Sequence, residues 1–554
     1  MVNCSDLQSK QKGVMPIPKV VLKPDSAEYL KQGFDQLANA LAVTLGPTQG
    51  NVLSWSNTKE RAEMLDDAAT IARRIVQIPD RRRDVGAMML RQLVWRMHKE
   101  VGDGAATAGV LAQALLHEGT KLVTAGATAV HVQHGIQKAV TQAIAAIDRM
   151  ARPARDADEL TAVAQAVTAD EKLAWPLGEM FDLLGENAHI HVKKLVAPYL
   201  EREYIEGAYW DGKLLAPTFI NAIGLQRAVQ SDCLVALYDA EVRTIADIGP
   251  LLTLAKNQSG RKLLFVAPNV LDEALNLLTA VHHHPKHQMN IIAFTINLGG
   301  EQGRSQLDDL ALLTGATVMG ESMGRSLKRV KLDYLGRAAR IEATKDQLFI
   351  ARGHGDKALV REQLADLKTH LATLPYDDAQ RDDIERRIGQ LAGRMGVLKV
   401  GAYTQPERDV LHQKAARAIR SLKATAESGY VPGGGVAYVR AAQAIDPTTA
   451  NNHDERMGML AAKKALAAPF IQIMTNAHVA APAVALNAVL EKSDDYVYDA
   501  VRQAVRPARE AGIVDPAKVA RRALESSASG AVMALSVDVT VLRKRPVTNV
   551  DYEP

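Results

Sequence analysis

Two cysteines in 554 residues, Cys4 and Cys233, cannot form a disulfide framework for a chain this long; they fit a reducing compartment. Aromatic residues are also scarce, at 4% against 47% apolar residues overall, so the core must be aliphatic and alanine-rich, which favours closely packed helices. No excess of one charge exists either: 67 Lys+Arg oppose 63 Asp+Glu and leave +4, too mild to imply a nucleic-acid partner. The densest basic run, Arg81 to Arg83, is bracketed by Asp80 and Asp84 and reads as a solvated, ion-paired loop. No segment approaches the run of about 18 apolar residues that a membrane span requires. The N-terminal MVNCSDLQSKQKGVMPIPK lacks the apolar stretch of a signal peptide. These absences predict a soluble, cytoplasmic protein with neither nucleic acid nor membrane as a partner. There is also no G-x-x-x-x-G-K-[ST] pattern and no repeat of 20–50 residues, which disfavours a P-loop enzyme and a solenoid.

The chain exceeds what one hydrophobic core usually supports, so two to four domains are expected. Leu30, Phe34, Leu37 and Leu41 follow a 4-3-4 spacing that predicts a helix over 26–43, capped by Asp25 or Ser26 and stopped by Gly46 and Pro47. Helices dominate from about 68 to 150. From about 230 to 350 the runs CLVALY, KLLFVA and IIAFTI alternate with helical segments at 270–282 and 304–313, which suggests a parallel or mixed sheet flanked by helices. Val360, Leu364, Leu367, Leu371 and Leu374 form one apolar stripe and Ile384, Ile388 and Leu391 another, which predicts a helical hairpin. Alanine-rich helical texture returns after residue 400. One helical domain built from both chain ends, with a separate α/β module inserted, accounts for that pattern.

Three glycine-bearing turns stand at helix boundaries in the terminal thirds: LGPTQGN (45–51), GDGAAT (102–107) and VPGGGVAYV (431–439). Glycine lets a backbone approach a ligand closely, and a helix N-terminus offers free N–H groups to phosphate. A carboxylate beside phosphate is repulsive unless a cation lies between them, so Asp103 makes sense as a Mg²⁺ ligand; the alternative is a plain turn with a helix N-cap. Asp66 and Asp67 are either an N-cap pair or include a carboxylate that orients an attacking water. HHHPKH (282–287) lacks the spacing of a zinc site and reads as an exposed loop.

Taken in order, these pieces resemble the GroEL-type (group I) chaperonins. VTLGPTQGNV, GDGAATAGVLAQALLHEG, LAGRMGVLKVGAYT, VPGGGVAYVRAA and AGIVDPAKVARRAL each resemble a segment of that family, and the likeness runs from about residue 26 to 540. The N-terminal extension is unmatched. The resemblance implies a multidomain α/β fold. A mostly helical, discontinuous equatorial ATP-binding domain would take 1–149 and 429–554. A small intermediate domain would take 150–206 and 394–428, and an α/β apical domain 207–393, with hinges near Gly207 and Gly393. It implies a homo-oligomeric ring of seven subunits, often stacked in pairs, that acts on non-native polypeptides, with a lid co-chaperonin as a candidate partner. ATP and Mg²⁺ would be the cofactors, with K⁺ as a further candidate.

Carried over by position, Thr44, Leu45, Gly46 and Pro47 would line the phosphates and base, Asp103 would hold Mg²⁺, and Gly104 and Thr107 would face phosphate. Asp67 would stand near the γ-phosphate as the catalytic carboxylate. Gly434 and Gly435 would approach the nucleotide, Ala500 the base, and Asp515 the ribose. Several positions depart from the family: Ala105 and Ala106 replace threonines, Asp499 an asparagine, and Arg417 an aspartate that helps activate water. Arginine stays protonated and cannot be a base, so nucleotide binding is expected to survive and hydrolysis to be slow. For clients, the resemblance points to Leu214, Leu215, Phe219, Leu252, Leu275 and Leu278 on an exposed apolar strip, thinned where Lys213 and Thr218 replace tyrosines. Two functions are therefore expected in competition: a slow ATP-dependent folding chaperonin, or a ring-forming scaffold, holdase or regulatory paralogue that binds ATP without hydrolysing it. A metabolic nucleotidase is disfavoured, because the α/β middle offers no small-substrate catalytic set.

Overall fold

The computed structural model describes residues 19–542 apart from 49, 51, 57–60, 186–188, 223–225, 259–261, 285–288, 297–300, 321–323, 375–377 and 379. The unmatched N-terminal extension and residues 285–287 of the HHHPKH run lie outside the described residues; His282 and His283 of that run close a helix, Asp272–His283, rather than belonging to a loop. The chain forms two compact units, one from the segment up to Glu179 together with Lys414 onward, the other from Met180–Gln413.

The elements of the first unit's N-terminal half are β1 (Lys19–Leu22), α1 (Asp25–Ala42), β2 (Val52–Ser56), β3 (Arg61–Leu65), α2 (Ala68–Arg74), α3 (Arg81–Val101), α4 (Ala105–Thr124), α5 (Ala129–Met150), α6 (Ala157–Thr168) and α7 (Glu171–Leu184). In the second unit follow β4 (His189–Leu195), β5 (Glu201–Glu206), β6 (Ala208–Leu214), β7 (Ala228–Tyr238), β8 (Glu241–Val242), α8 (Ile245–Lys256), β9 (Lys262–Val266), β10 (Asn269–Val270), α9 (Asp272–His283), β11 (Asn290–Ile296), α10 (Glu301–Thr314), β12 (Val318–Met319), β13 (Gly336–Ala343), β14 (Gln347–Gly353), α11 (Lys357–Thr373), α12 (Gln380–Ala392) and β15 (Arg394–Gly401). The chain returns through α13 (Gln405–Ser428) to β16 (Tyr430–Pro432), α14 (Val436–Gln443), α15 (His453–Ala465), α16 (Ala468–Asn476), α17 (Pro482–Leu490), β17 (Tyr496–Asp499), β18 (Ala504–Pro507), α18 (Ala508–Ala511), β19 (Val514–Pro516), α19 (Ala517–Leu535) and β20 (Val539–Leu542).

The first unit holds a helical body with a large aliphatic core. The α1 stripe of Leu30, Phe34, Leu37 and Leu41 is buried with Leu90, Val94 and Met97 of α3, Leu111 and Leu115 of α4, Ile136 of α5 and Leu524 of α19. Burying each such side chain contributes about 1.5–3 kcal/mol, so the pairing of both chain ends is a packing requirement. Small residues set the helix spacing. A Cβ on Gly33 would lie 1.7 Å from the Arg83 carbonyl oxygen and one on Gly86 1.9 Å from that of Leu30, so α1 and α3 cross with their backbones in contact. Two local expectations fail. Pro24 is the N-cap of α1, with no side-chain cap, because the Ser26 hydroxyl instead donates to the Asp538 carbonyl at 2.8 Å. Arg81 to Arg83 form the first turn of α3 rather than a loop; Asp80 caps it and ion-pairs with Arg82 at 3.1 Å and Arg83 at 3.6 Å.

The second unit holds a seven-stranded mixed sheet in the order β12-β7-β13-β14-β6-β11-β9, and β9 also pairs with β7. Strand β7 explains why its sequence is a continuous apolar run. Leu234, Ala236 and Tyr238 face one core with α8 and α9, while Cys233, Val235 and Leu237 face another with α10. Burial pushes the Cys233 thiol up to about 12, which makes it inert. A second sheet joins β15 to β4 in parallel and to β5 antiparallel. The two predicted stripes of the helical hairpin do meet: Leu367 of α11 is buried against Ile384, Ile388 and Leu391 of α12.

Candidate functional site: a cavity built from both chain ends

One cavity of about 570 Å³ in the first unit is lined by Thr44, Leu45, Gly46, Pro47, Asp67, Asp103, Gly104, Thr107, Gly434, Gly435, Ala500 and Asp515. Every candidate nucleotide residue named from the sequence reaches it, with Asp66, Ala105, Ala106, Arg417, Asp499 and Tyr498 alongside. Local chemistry explains each wall. After α1, the turn at Leu45 is clamped from the C-terminal third by Asn476, whose amide donates to the carbonyls of Ala42 at 2.8 Å and Leu45 at 2.7 Å. Gly46 carries φ +102° and faces Ile473 closely. Gly102 and Gly104 both adopt left-handed backbone, φ +77° and +79°, so the chain reverses sharply between α3 and α4 and presents Asp103 to the cavity. The cap of α4 is Gly104, with no side-chain bond, which leaves the first N–H groups of that helix without a side-chain acceptor. Gly435 caps α14 in the same way at φ +78°. On the opposite wall β16 pairs with β19, setting Val431 opposite Asp515, and the Gly433 N–H donates to the Ile513 carbonyl.

The carboxylates are unequal. Burial raises Asp103 above the usual carboxylate range, although the Gly104 N–H pulls the other way. Burial and the nearby Asp103 charge push Asp515 up to about 7. Asp103 is raised by burial and the Asp67 charge, against Arg417, and Asp515 by burial and the Asp103 charge; a cation between these carboxylates and a polyanion would relieve both. Among the described residues no group of three or more His, Cys, Asp or Glu could hold a metal by itself. Asp103 with the open N-terminus of α4 therefore fits Mg²⁺ held jointly with phosphate oxygens, the arrangement that needs only one or two protein carboxylates. Asp103 itself lies in the turn before α4, one residue ahead of the cap position, which Gly104 occupies.

Asp67 keeps both of its expected features, lining the cavity and capping α2. Its Oδ2 accepts from the Thr70 N–H at 2.8 Å and from the Thr70 hydroxyl at 2.7 Å. Its Oδ1 accepts from Arg417 at 3.1 Å, with both side chains largely enclosed. Burial works to raise its pKa, but Arg417, Thr70 and the neighbouring His98 outweigh that and leave it lowered. Arg417 has company that sequence reasoning passed over. Lys414 ion-pairs with Asp66 at 3.7 Å and Arg420 lies 3.3 Å from His98 Nε2. Burial, with Arg420, Arg417 and Arg73 around it, drives His98 down to about 4, so it is neutral near pH 7. The i, i+3, i+6 spacing of Lys414, Arg417 and Arg420 was visible in QKAARAIR and signals one cationic helix face. Asp499 serves as a turn residue: its Oδ1 accepts from the Val501 and Arg502 N–H groups and its Oδ2 from Arg506 at 3.3 Å.

The model of the TCP-1/cpn60 chaperonin family matches residues 37–244 and 255–545. The chain belongs to that family. Its members' folding function is thereby the coarse function of this chaperonin too. Among the described residues no helix is long and apolar enough to cross a membrane.

The candidate client residues fare less evenly. Phe219, Leu252 and Leu278 are 1%, 6% and 0% exposed, packed in the core beneath α8 and α9. They were expected on an open apolar strip; they are instead the inward side of the same amphipathic helices and of the short helical turn at 217–219. Leu214, Leu215 and Leu275 are only partly buried and remain at the edge of that core.

Proposed function

We propose that this chain is a divergent group I chaperonin of the GroEL type. It assembles into seven-membered rings, binds ATP with Mg²⁺ in the cavity between the two chain ends, and hydrolyses it slowly to drive the folding of non-native polypeptides. In this reading residues 1–149 and 429–554 are the equatorial domain, 150–206 and 394–428 the intermediate domain, and 207–393 the apical domain. Asp103 holds the cation, which neutralises phosphate charge. The N–H groups at the start of α4 and α14 bind phosphate oxygens, Thr107 supplies a hydroxyl, and Asp515 accepts from the ribose. Leu214, Leu215 and Leu275 contribute to the client surface. K⁺ and a lid co-chaperonin belong to the same proposal, as does a cytoplasmic location.

The observation that carries this reading is the convergence of three glycine turns, from both ends of the chain, on one cavity with Asp103 and Asp515 inside it. A second reading, a ring-forming scaffold or holdase that binds ATP without turnover, is favoured by one contact: Arg417 occupies Asp67, the remaining carboxylate able to orient water. Loss of one such group costs about a hundredfold in rate, on the order of 3 kcal/mol. The deciding experiment is steady-state ATPase of the purified oligomer with Mg²⁺ and K⁺, with particle images for symmetry. Slow, Mg²⁺-dependent turnover that rises several-fold in Arg417→Asp supports the folding chaperonin. Tight nucleotide binding with no turnover in either form selects the scaffold. Absence of both binding and rings overturns the proposal.

A further inference from the structure

The second unit contains a smaller cavity of about 190 Å³, lined by polar residue types with a single aliphatic one: His191, Lys193, Tyr209, Asp211, Gln347, Arg386, Gln390 and Val397. Three elements each aim an in-phase pair at it. His191 and Lys193 alternate on β4, Tyr209 and Asp211 alternate on β6, and Arg386 and Gln390 stand one helical turn apart on α12. Such triple convergence of polar side chains contrasts with the apolar cores on both faces of the neighbouring sheet.

Unmet bonding capacity inside the cavity defines what it lacks. Gln390 is 2% exposed, and its amide nitrogen donates to the Tyr209 carbonyl at 2.5 Å, leaving Oε1 buried with no partner among the described residues. Because that carbonyl can only accept, the amide orientation is fixed and Oε1 stays an unused acceptor. One turn away, the Arg386 guanidinium is ion-paired with Asp383 through Nη2, while its Nε is a buried donor with no partner among the described residues. Lys193 has no ion pair among the described residues; its ammonium donates to Gln347 Oε1 at 2.7 Å and lies 5.4 Å from the Tyr209 ring centre. Asp211 is already engaged by the Gln347 amide at 3.2 Å. Burial lowers the Lys193 ammonium despite the Glu203 and Asp211 carboxylates, and burial with the Lys193 charge lowers His191 despite Asp211.

We propose that this cavity is a binding site for a small anion that also carries a hydrogen-bond donor, of the hydrogen-phosphate class. Its oxygens accept from Lys193 and Arg386 Nε, and its hydroxyl donates to Gln390 Oε1. Both orphaned atoms on α12 are then satisfied by one ligand. Sulfate, which has no proton to donate near pH 7, meets the first need and not the second.

The test is hydrogen exchange of the full-length protein titrated with inorganic phosphate and separately with sulfate. Phosphate is expected to protect peptides covering β4 and α12, with sulfate about tenfold weaker. Lys193→Met is expected to weaken phosphate by about tenfold or more and Lys193→Arg to retain it. Gln390→Met, which removes the acceptor, serves as the second variant and is expected to erase the preference for phosphate over sulfate. Asp103→Ala, in the other unit's cavity, is expected to leave the protection of β4 and α12 intact, which separates the two sites. Protection confined to peptides around 103–107 and 433–438, equal affinity for the two anions, or no effect of Lys193→Met would each overturn the proposal.

Discussion

Arg417→Ala is expected to loosen α2 before it loosens anything else. The helix spans only Ala68–Arg74, too short to persist on propensity, so it depends on its cap and on packing. Asp67 provides the cap, and Arg417 holds that carboxylate in place at 3.1 Å with both partners mostly enclosed. A charge-assisted hydrogen bond in such surroundings is worth about 1.5–3 kcal/mol. Lys414 stands near Asp66 rather than Asp67 and offers only partial substitution, so about 2 kcal/mol of local stability should go. At about 1.4 kcal/mol per tenfold, that is roughly a 30-fold faster exchange of the α2 amides. Native-state hydrogen exchange reads this directly, with the Thr70 amide as reporter because Asp67 accepts from it. A double-mutant cycle with Asp67→Asn isolates the pair, since the asparagine still caps the helix but cannot ion-pair. A coupling below about 0.5 kcal/mol, the size of an exposed pair, would refute the view that Arg417 anchors this wall of the cavity.

Two further expectations rest on different features. Asp103 and Asp515 are raised in the folded protein, so the fold binds more protons than the unfolded chain between the ordinary carboxylate pKa and about 7. Their contribution therefore falls as pH rises across that window. Thermal melts without nucleotide should show wild type losing more stability between pH 5 and pH 7 than Asp103→Asn/Asp515→Asn does, and Mg²⁺·nucleotide should flatten the difference; identical pH profiles for wild type and the double variant would contradict it. Leu278→Ala, fully buried, should cost about 2–5 kcal/mol by chemical denaturation, while Leu215→Ala at the margin of the same core should cost markedly less. Equal losses would return Leu278 to the surface.

Much of the nucleotide-like cavity was legible because its parts are written in local grammar. The 4-3-4 stripe ending at Gly46, the two glycines around Asp103, and the Gly434–Gly435 turn each announce a helix boundary, and all of them meet. What failed was information that depends on partners distant in the chain. Ser26 looked like a cap and was diverted to Asp538, more than 500 residues on. Phe219 and Leu278 were placed on an exposed strip by resemblance alone, and only packing against β9 and β11 decides which apolar residues face inward. The strand order, with β7 between β12 and β13 and again beside β9, is non-local pairing that no periodicity encodes. His98 went unread because a lone histidine on a helix carries no signal until three arginines surround it.

The glycine-on-carbonyl crossing of α1 and α3 has a mechanical side. Each helix ends in one of the cavity's loops, α1 in Thr44–Pro47 and α3 in Gly102–Asp103, so the seam behaves as a rivet through the middle of a pair of tongs with fixed jaws. The mouth of the cavity on that side cannot widen by sliding one helix along the other, and any opening or closing must be supplied by the segments that carry Arg417 and Ala500 instead.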